Sequence, residues 1–142
     1  YTPGVLKAVG FNDGKNVCST SVVTAGQPAK IHLETAESTA VAGERRIIHV
    51  LAAITDVNST LVPDACDRLY VELDGTAHLL GLENGDPLDC QHYDDWNRRA
   101  FQGRCLAILQ WQDVTSTVTV KATADKLEAA SLTVPGLPSD NA

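Results

Sequence analysis

The chain has 142 residues, of which 44% are hydrophobic and 20% charged, a balance typical of a globular protein rather than a disordered one. Its length predicts one domain with room for a short appendage. The formal net charge of −7 argues against a nucleic-acid partner, because contact with phosphates needs clustered Lys and Arg. No run of about 18 apolar residues is present, so we expect no membrane-spanning segment.

The first 26 residues predict a separate β-hairpin. Two strands, Gly4–Phe11 and Asn16–Thr24, are joined by the turn sequence Asn12–Lys15, and a linker follows at Thr24–Pro28. A two-stranded hairpin is marginally stable alone in water, so it either packs on the remaining chain or belongs to a preceding domain. We favour the second origin and interpret residues 1–26 as the tail of a preceding domain plus a linker.

Residues 27–135 show apolar residues at a period of two and no sustained helical period, which predicts an all-β domain. Lys30–Glu34 and Leu69–Leu73 alternate cleanly, as outer strands with one buried face do. Ile47–Ile54 is apolar on both faces, which predicts a central strand covered on two sides. The other predicted strands are Thr76–Leu82, Arg104–Trp111, Ser116–Thr123 and Ala129–Val134.

Seven or so short strands in about a hundred residues predict an immunoglobulin-like antiparallel β-sandwich over residues 27–135. The Cys-Trp-Cys signature of antibody domains is absent, so the pattern supports the architecture alone. Residues 136–142 contain glycine, proline and small polar residues, and we expect them to form a flexible tail.

Four cysteines permit three disulfide pairings if all of them are oxidised. We favour Cys90 with Cys105, because they flank one loop, and closing a loop of roughly 15 residues contributes about 3 kcal/mol in the chain-entropy model. Buried free thiols at all four positions are the alternative. No CxxC pair or His–Cys spacing indicates zinc, and we expect neither a metal nor another cofactor.

The densest cluster of functional groups lies in one predicted loop, Asp86–Arg99. Two adjacent carboxylates in a solvated loop usually point in different directions, so we predict no catalytic residue. Aromatic faces can instead stack on sugar rings while Asp and Arg bond the hydroxyls. The residues predicted to contact carbohydrate or a neighbouring domain are Tyr93, Asp94, Asp95, Trp96, Arg98 and Trp111. We favour a structural interpretation over sugar binding, in which Trp96 and Phe101 close one open end of the sandwich and the charged groups contact a neighbouring domain.

Several segments resemble one known family. Gly4–Gly10 followed by Val23–Ala29 is similar to the junction before the last domain of bacterial β-galactosidase-like enzymes of glycoside hydrolase family 2. Asn84–Pro87 with Arg99–Gly103 resembles a loop and strand of that family's C-terminal immunoglobulin-like domain. Thr123–Val134 resembles its closing hairpin, which invasin-type bacterial domains share. The resemblance covers nearly the whole chain.

This resemblance implies a non-catalytic accessory C-terminal domain that acts as a spacer and packs against other domains of the same polypeptide. The family's two catalytic glutamates lie in a TIM barrel, which needs about 250 residues, so none is carried over to this chain. The parent enzyme is implied to act in carbohydrate metabolism, on β-galactosides or similar glycans, in the periplasm or outside the cell.

Two other functions stay open at this point. A carbohydrate-binding module would present an exposed row of aromatic faces, whereas a buried Trp96 would favour the spacer. A bacterial adhesion-type stalk repeat would have near-identical copies upstream in the parent gene.

Overall fold

The computed structural model describes residues 2–36, 46–113 and 115–136, and residues 137–142 of the predicted tail lie outside this part of the chain. Within these ranges ten strands form three sheets with antiparallel ladders, which confirms the all-β prediction. No helix long and apolar enough to cross a bilayer occurs in the same ranges. The strands are β1 Val5–Asn12, β2 Lys15–Val23, β3 Lys30–Ala36, β4 Arg46–Thr55, β5 Arg68–Asp74, β6 Ala77–Glu83, β7 Asn97–Arg99, β8 Arg104–Trp111, β9 Val118–Thr123 and β10 Ala130–Val134.

Two four-stranded sheets face each other as a β-sandwich, one in the order β3-β4-β8-β6 and the other in the order β10-β9-β5-β7. The period of two puts alternate side chains into a single core between them, such as Leu109 from β8 and Leu69 from β5. Along β9, Val118 and Val120 are buried while Thr119 between them is half-buried, as the pattern predicts. Each fully buried Leu or Ile contributes about 1.5–3 kcal/mol to folding.

Two predictions about strand environment are corrected. β3 lies at a sheet edge as expected, but β5 lies between β9 and β7 and is not an outer strand. That expectation was wrong because β7 has three residues, too few to show a strand pattern in the sequence. β4 was expected to be covered on two sides, yet its residues alternate between buried and half-buried, so only one face is fully covered.

The N-terminal hairpin forms where the sequence predicts it, as a separate two-stranded sheet of β1 and β2. Asn12 pairs with Lys15, and the two residues between them, Asp13 and Gly14, have φ values of 48° and 75°. Positive φ at both central positions is the type I′ geometry, which an Asp-Gly pair favours. Every residue of the two strands is exposed except the half-buried Gly10. The assignment of this hairpin to a preceding domain stays a prediction.

Candidate functional site

The last three residues of the predicted loop form β7, so the loop itself comprises residues 84–96 and connects β6, at the edge of one sheet, with β7, at the edge of the other. The Leu82 N–H in β6 donates to the Tyr93 carbonyl oxygen at 2.7 Å, and the Val71 N–H in β5 donates to the Trp96 carbonyl oxygen at 2.9 Å. The loop is therefore bonded to both sheets and closes the side of the sandwich between β6 and β7. It also covers an edge strand that would otherwise present unpaired backbone groups.

Turns built on side-chain acceptors shape the first half of the loop. In each of them a side-chain oxygen accepts the backbone N–H two residues later, a geometry that Asn and Asp favour. The bonds run from the Asp86 N–H to Asn84 Oδ1 (3.0 Å), from the Leu88 N–H to Asp86 Oδ1 (3.0 Å) and from the Gln91 N–H to Asp89 Oδ1 (2.9 Å). This segment is a folded turn, and its polar groups are engaged with its own backbone.

Arg98 anchors the second half of the loop from inside the sandwich. Its side chain is 1% exposed, and its Nη1 donates to Asp89 Oδ2 at 2.8 Å. Nη2 donates to the carbonyl oxygens of Gln91 and His92, both at 2.9 Å, and Cζ lies 5.0 Å from the centre of the Tyr93 ring. A buried guanidinium needs such partners to offset its desolvation. The prediction that Arg98 contacts a glycan or a neighbouring domain is therefore wrong, because the side chain faces the loop interior.

Asp89 is the acidic partner of this anchor. The Gln91 N–H, the Asn84 amide and the nearby Arg98 charge hold the pKa of its carboxyl below the ordinary value, and the Gln91 N–H has the largest effect. The carboxylate is thus ionised and engaged through both oxygens. A group held in this way stabilises the loop and is not available as a general acid or base.

The other predicted contact residues divide into exposed and buried positions. Tyr93 is 61% exposed and Trp96 is 50% exposed, while Asp94 is exposed and Asp95 half-buried. Trp111 is fully buried, with Nε1 3.4 Å from Ser116 Oγ, so its predicted availability for contact is wrong. The reason is the period of two, which places it on the inner face of β8 with the core.

The half-exposed state of Trp96 fits neither discriminating outcome fully. The Trp96 side chain is not buried, whereas the spacer interpretation expects it to be. Because Trp111 is buried, the exposed aromatic residues of the loop are Tyr93 and Trp96, and they do not form the longer row that a binding module would present. Of the residues predicted to contact carbohydrate or a neighbouring domain, the structure places Tyr93 next to Arg98. Trp111 lies apart from them, since it pairs with Ala77 at the start of β6 and the loop leaves from the end of that strand.

All four cysteines are free, so the favoured Cys90–Cys105 disulfide is not formed. Cys105 is buried on the inner face of β8, where desolvation raises the pKa of its thiol to about 12. Cys90 is exposed on the loop, with its Sγ 3.7 Å from the Leu88 carbonyl oxygen. The alternative of four buried thiols is also wrong, because Cys18 and Cys66 are exposed as well. Among the residues that the structure describes, no group of three or more His, Cys, Asp or Glu is placed to hold a metal ion.

Sequence reasoning missed Asp56, which follows β4 at the base of the hairpin linker. Its side chain accepts the Gly26 N–H at 2.8 Å and the Asn58 and Thr60 N–H groups at 2.9 Å each. These donors lower the pKa of the carboxyl, and the Gly26 N–H has the largest effect. The only sequence signal was an Asp at the start of a polar turn after an apolar strand.

Residues 31–133 match the family model of glycoside hydrolase family 2 C-terminal domain 5. The chain belongs to this family. As a C-terminal domain of family 2 enzymes it is non-catalytic, which confirms the accessory role implied by the resemblance. The β1–β2 hairpin precedes the matched range.

Individual relatives agree with the family assignment. Beta-galactosidase BoGH2A of Bacteroides ovatus is 29% identical over 134 residues, which cover 94% of this chain and 16% of that protein. A beta-glycosidase from Bacteroides vulgatus shares the fold with a TM-score of 0.85 at 30% identity, over 95% of this chain and 18% of its own. A family 2 member from Bacteroides cellulosilyticus has a TM-score of 0.86 at 23% identity, over 97% and 18% of the two chains, and supports the fold alone.

The chain thus spans about a sixth of the length of the curated β-galactosidase that it matches. A domain that small within a much larger glycoside hydrolase is consistent with an accessory role.

Proposed function

We propose that this domain is a spacer and packing module in a β-galactosidase-type enzyme, where it contacts other domains of the same polypeptide. The observation that carries this proposal is the surface of the β1–β2 hairpin. Leu6 is 76% exposed and Val22, its cross-strand partner, is 68% exposed. Contiguous apolar surface of this kind usually marks a contact with another protein surface.

Exposed apolar side chains lie on both faces of the hairpin. Leu6 pairs with Val22, and the adjacent pair of Val5 with Val23 points to the opposite face because side chains alternate along a strand. A hairpin that lay flat on this sandwich would need only one apolar face. Two apolar faces support the interpretation that the hairpin supplies the last two strands of a preceding domain, with residues 1–26 as its tail and linker.

We also propose that the sandwich is immunoglobulin-like. If β3, β4, β5, β6, β8, β9 and β10 are taken as strands A to G, one sheet has the order A-B-E-D and the other contains G-F-C. This is the strand order of the constant-type immunoglobulin sandwich. β7 is then an extra strand beside C, added by the long loop that Arg98 anchors.

For the parent enzyme we propose β-linked galactosides or similar glycans as substrates, since a relative over 94% of this chain is called a β-galactosidase. A periplasmic or extracellular location is proposed on the family resemblance described above.

The packing role is tested in the full-length parent polypeptide. Leu6→Asp places a charge in the proposed contact, and we expect the full-length protein to lose thermal stability, because burial of a carboxylate against apolar groups is unfavourable. Leu88→Asp is the matched control, since Leu88 is also an exposed leucine but lies on the loop. Equal melting temperatures for the two variants would contradict the proposal.

A second candidate function, carbohydrate binding, is favoured by the exposed rings of Tyr93 and Trp96 in one loop. If the loop binds carbohydrate, isothermal titration calorimetry with galacto-oligosaccharides should show a heat of binding, and Trp96→Ala should abolish it. Tyr70→Ala is the control, because Tyr70 is exposed on the outer side of β5. If no binding is detected at millimolar sugar, carbohydrate binding is excluded and the spacer role of the domain remains.

A further inference from the structure

In the part of the chain that the structure describes, an open groove lies between the hairpin and the sandwich. The groove has a volume of about 1130 Å³, and hairpin residues such as Pro3 and Val23 line one side of it. Leu61 and Pro63, from the segment that follows β4, line the other side. Because side chains do not fill this space, packing across the groove does not set the angle of the hairpin, and the linker must set it.

The linker is bonded at both ends of a very short span. The Thr24 N–H donates to the Gly4 carbonyl oxygen at 2.9 Å and closes the hairpin. Two residues later the Gly26 N–H donates to Asp56 Oδ2 at 2.8 Å. Ala25, between them, is half-buried and packs against the core. Few backbone torsions therefore lie between the hairpin and the first bond to Asp56.

Beyond Gly26 the chain is joined to the sandwich by backbone bonds. The Ala29 N–H donates to the Thr55 carbonyl oxygen at 2.9 Å, and the Ile31 N–H donates to the Glu128 carbonyl oxygen at 3.0 Å. Thr55 is the last residue of β4, directly before Asp56. The end of β4 thus supplies both a backbone acceptor and a side-chain acceptor for the linker.

Asp56 suits this position because it is 2% exposed and both its oxygens accept N–H groups. Oδ1 accepts the Asn58 and Thr60 N–H groups of its own turn, which leaves Oδ2 for Gly26. An asparagine in its place would turn an NH₂ group toward one of these donors, so the turn or the linker would lose its acceptor. A carboxylate is required for both to be bonded at once.

We infer that Asp56 is a clamp that fixes the angle between the β1–β2 hairpin and the sandwich. On the proposed function, in which the hairpin belongs to a preceding domain, the clamp sets the direction in which the sandwich projects from that domain. The bonds of the clamp lie within this chain and do not depend on what the hairpin packs against.

The native thiols allow the angle to be measured. Cys18 lies on the hairpin and Cys90 on the sandwich, and both are exposed, whereas Cys105 is buried and resists labelling. In a Cys66→Ser background, spin labels on Cys18 and Cys90 report one distance by pulsed electron paramagnetic resonance. We expect a single narrow distance distribution that Asp56→Asn broadens. Asp64→Asn is the control, because Asp64 is exposed nearby and the charge change is the same.

A second pair of variants tests the clamp without changing the turn at Asp56. Gly26→Pro lacks the N–H that Asp56 binds, and we expect it to broaden the distribution. Gly26→Ala keeps the N–H, and its Cβ would meet Asp56 Oδ2 at an ordinary 3.4 Å, so the distribution should stay narrow. Amide exchange of Thr60, which donates to the other oxygen, checks that the turn is intact in both variants.

Hydrogen exchange of the Gly26 amide tests the bond to Asp56 independently of the distance measurement. In Asp56→Asn its hydrogen exchange should be about tenfold faster than in the native chain, since its acceptor is lost. Unchanged distance distributions in both Asp56→Asn and Gly26→Pro would overturn the clamp. The proposed packing role of the hairpin is decided separately, by the Leu6→Asp variant of the full-length polypeptide, so the two can fail independently.

Discussion

Replacing Arg98 with methionine tests whether the loop between β6 and β7 depends on one buried side chain. Methionine keeps an aliphatic chain of similar length but removes three hydrogen bonds, to Asp89, Gln91 and His92. Removing one member of a buried ion pair costs about 3–5 kcal/mol. The Asp89 carboxylate keeps two other donors and is 17% exposed, so we expect the lower end of that range, a loss of roughly 3 kcal/mol in the free energy of unfolding.

The loss is measured by urea denaturation followed by tryptophan fluorescence, and it corresponds to a melting temperature lower by roughly 10 °C. Arg98→Lys is the comparison variant. It keeps the charge, but a single ammonium cannot reproduce the planar fork that spans three acceptors, so its stability should fall between the other two proteins. The amides of Leu82 and Val71, which donate to the loop, should exchange faster in Arg98→Met. A loss below about 1 kcal/mol, as for a surface ion pair, would refute the anchor.

Four further outcomes are expected. Gly103→Ala should destabilise the domain by more than about 2 kcal/mol, because φ is +72° and its Cβ would lie 2.3 Å from the Val62 carbonyl oxygen. Gly85→Ala, at φ +77° with open space around it, should cost only about 1 kcal/mol in the same thermal melt. The pKa of Asp56 is lowered in the folded state, so the ionised carboxylate stabilises the fold fully above the ordinary pKa of 3.8 and loses this effect as the pH falls through the folded pKa. The difference in the free energy of unfolding between the native chain and Asp56→Asn should therefore shrink in acid titrations below pH 3.8. A thiol reagent at neutral pH should modify three cysteines quickly and Cys105 only on unfolding, and rapid reaction of all four would show that its burial is wrong.

The strands of the sandwich were predictable because one buried face imposes a period of two on each of them. The predicted Arg104–Trp111 coincides with β8, and the predicted Ala129–Val134 differs from β10 by one residue. The same periodicity also predicts that Trp111 is buried, because it shares a face of β8 with Leu109. The prediction of a contact surface overlooked this, since exposed aromatic side chains are common in such surfaces. That error lay in the interpretation, because the signal was present in the sequence.

The loop anchor and the linker clamp were not predictable in the same way. A charged residue in an alternating pattern is normally assigned to solvent, and Arg98 is buried only because its acceptors come from a loop folded over it. Asp56 is paired with Gly26, which lies 30 residues away in the sequence. Both arrangements depend on tertiary neighbours, which residue types and spacing along the chain do not specify. The disulfide prediction failed for a related reason, since proximity in sequence gave no information on the directions of the Cys90 and Cys105 side chains.

The free edges of the β1–β2 hairpin affect how this chain behaves in a test tube. On the sandwich the edge at β6 is covered by its loop, but among the residues that the structure describes no strand pairs with the outer edges of the hairpin, and apolar side chains on both of its faces are exposed to solvent. Such a ribbon is a template for strand exchange between copies, so concentrated samples should oligomerise through it. A version that starts at Ala25 would keep the bond from Gly26 to Asp56 and discard the ribbon, which makes it the better choice for crystallisation.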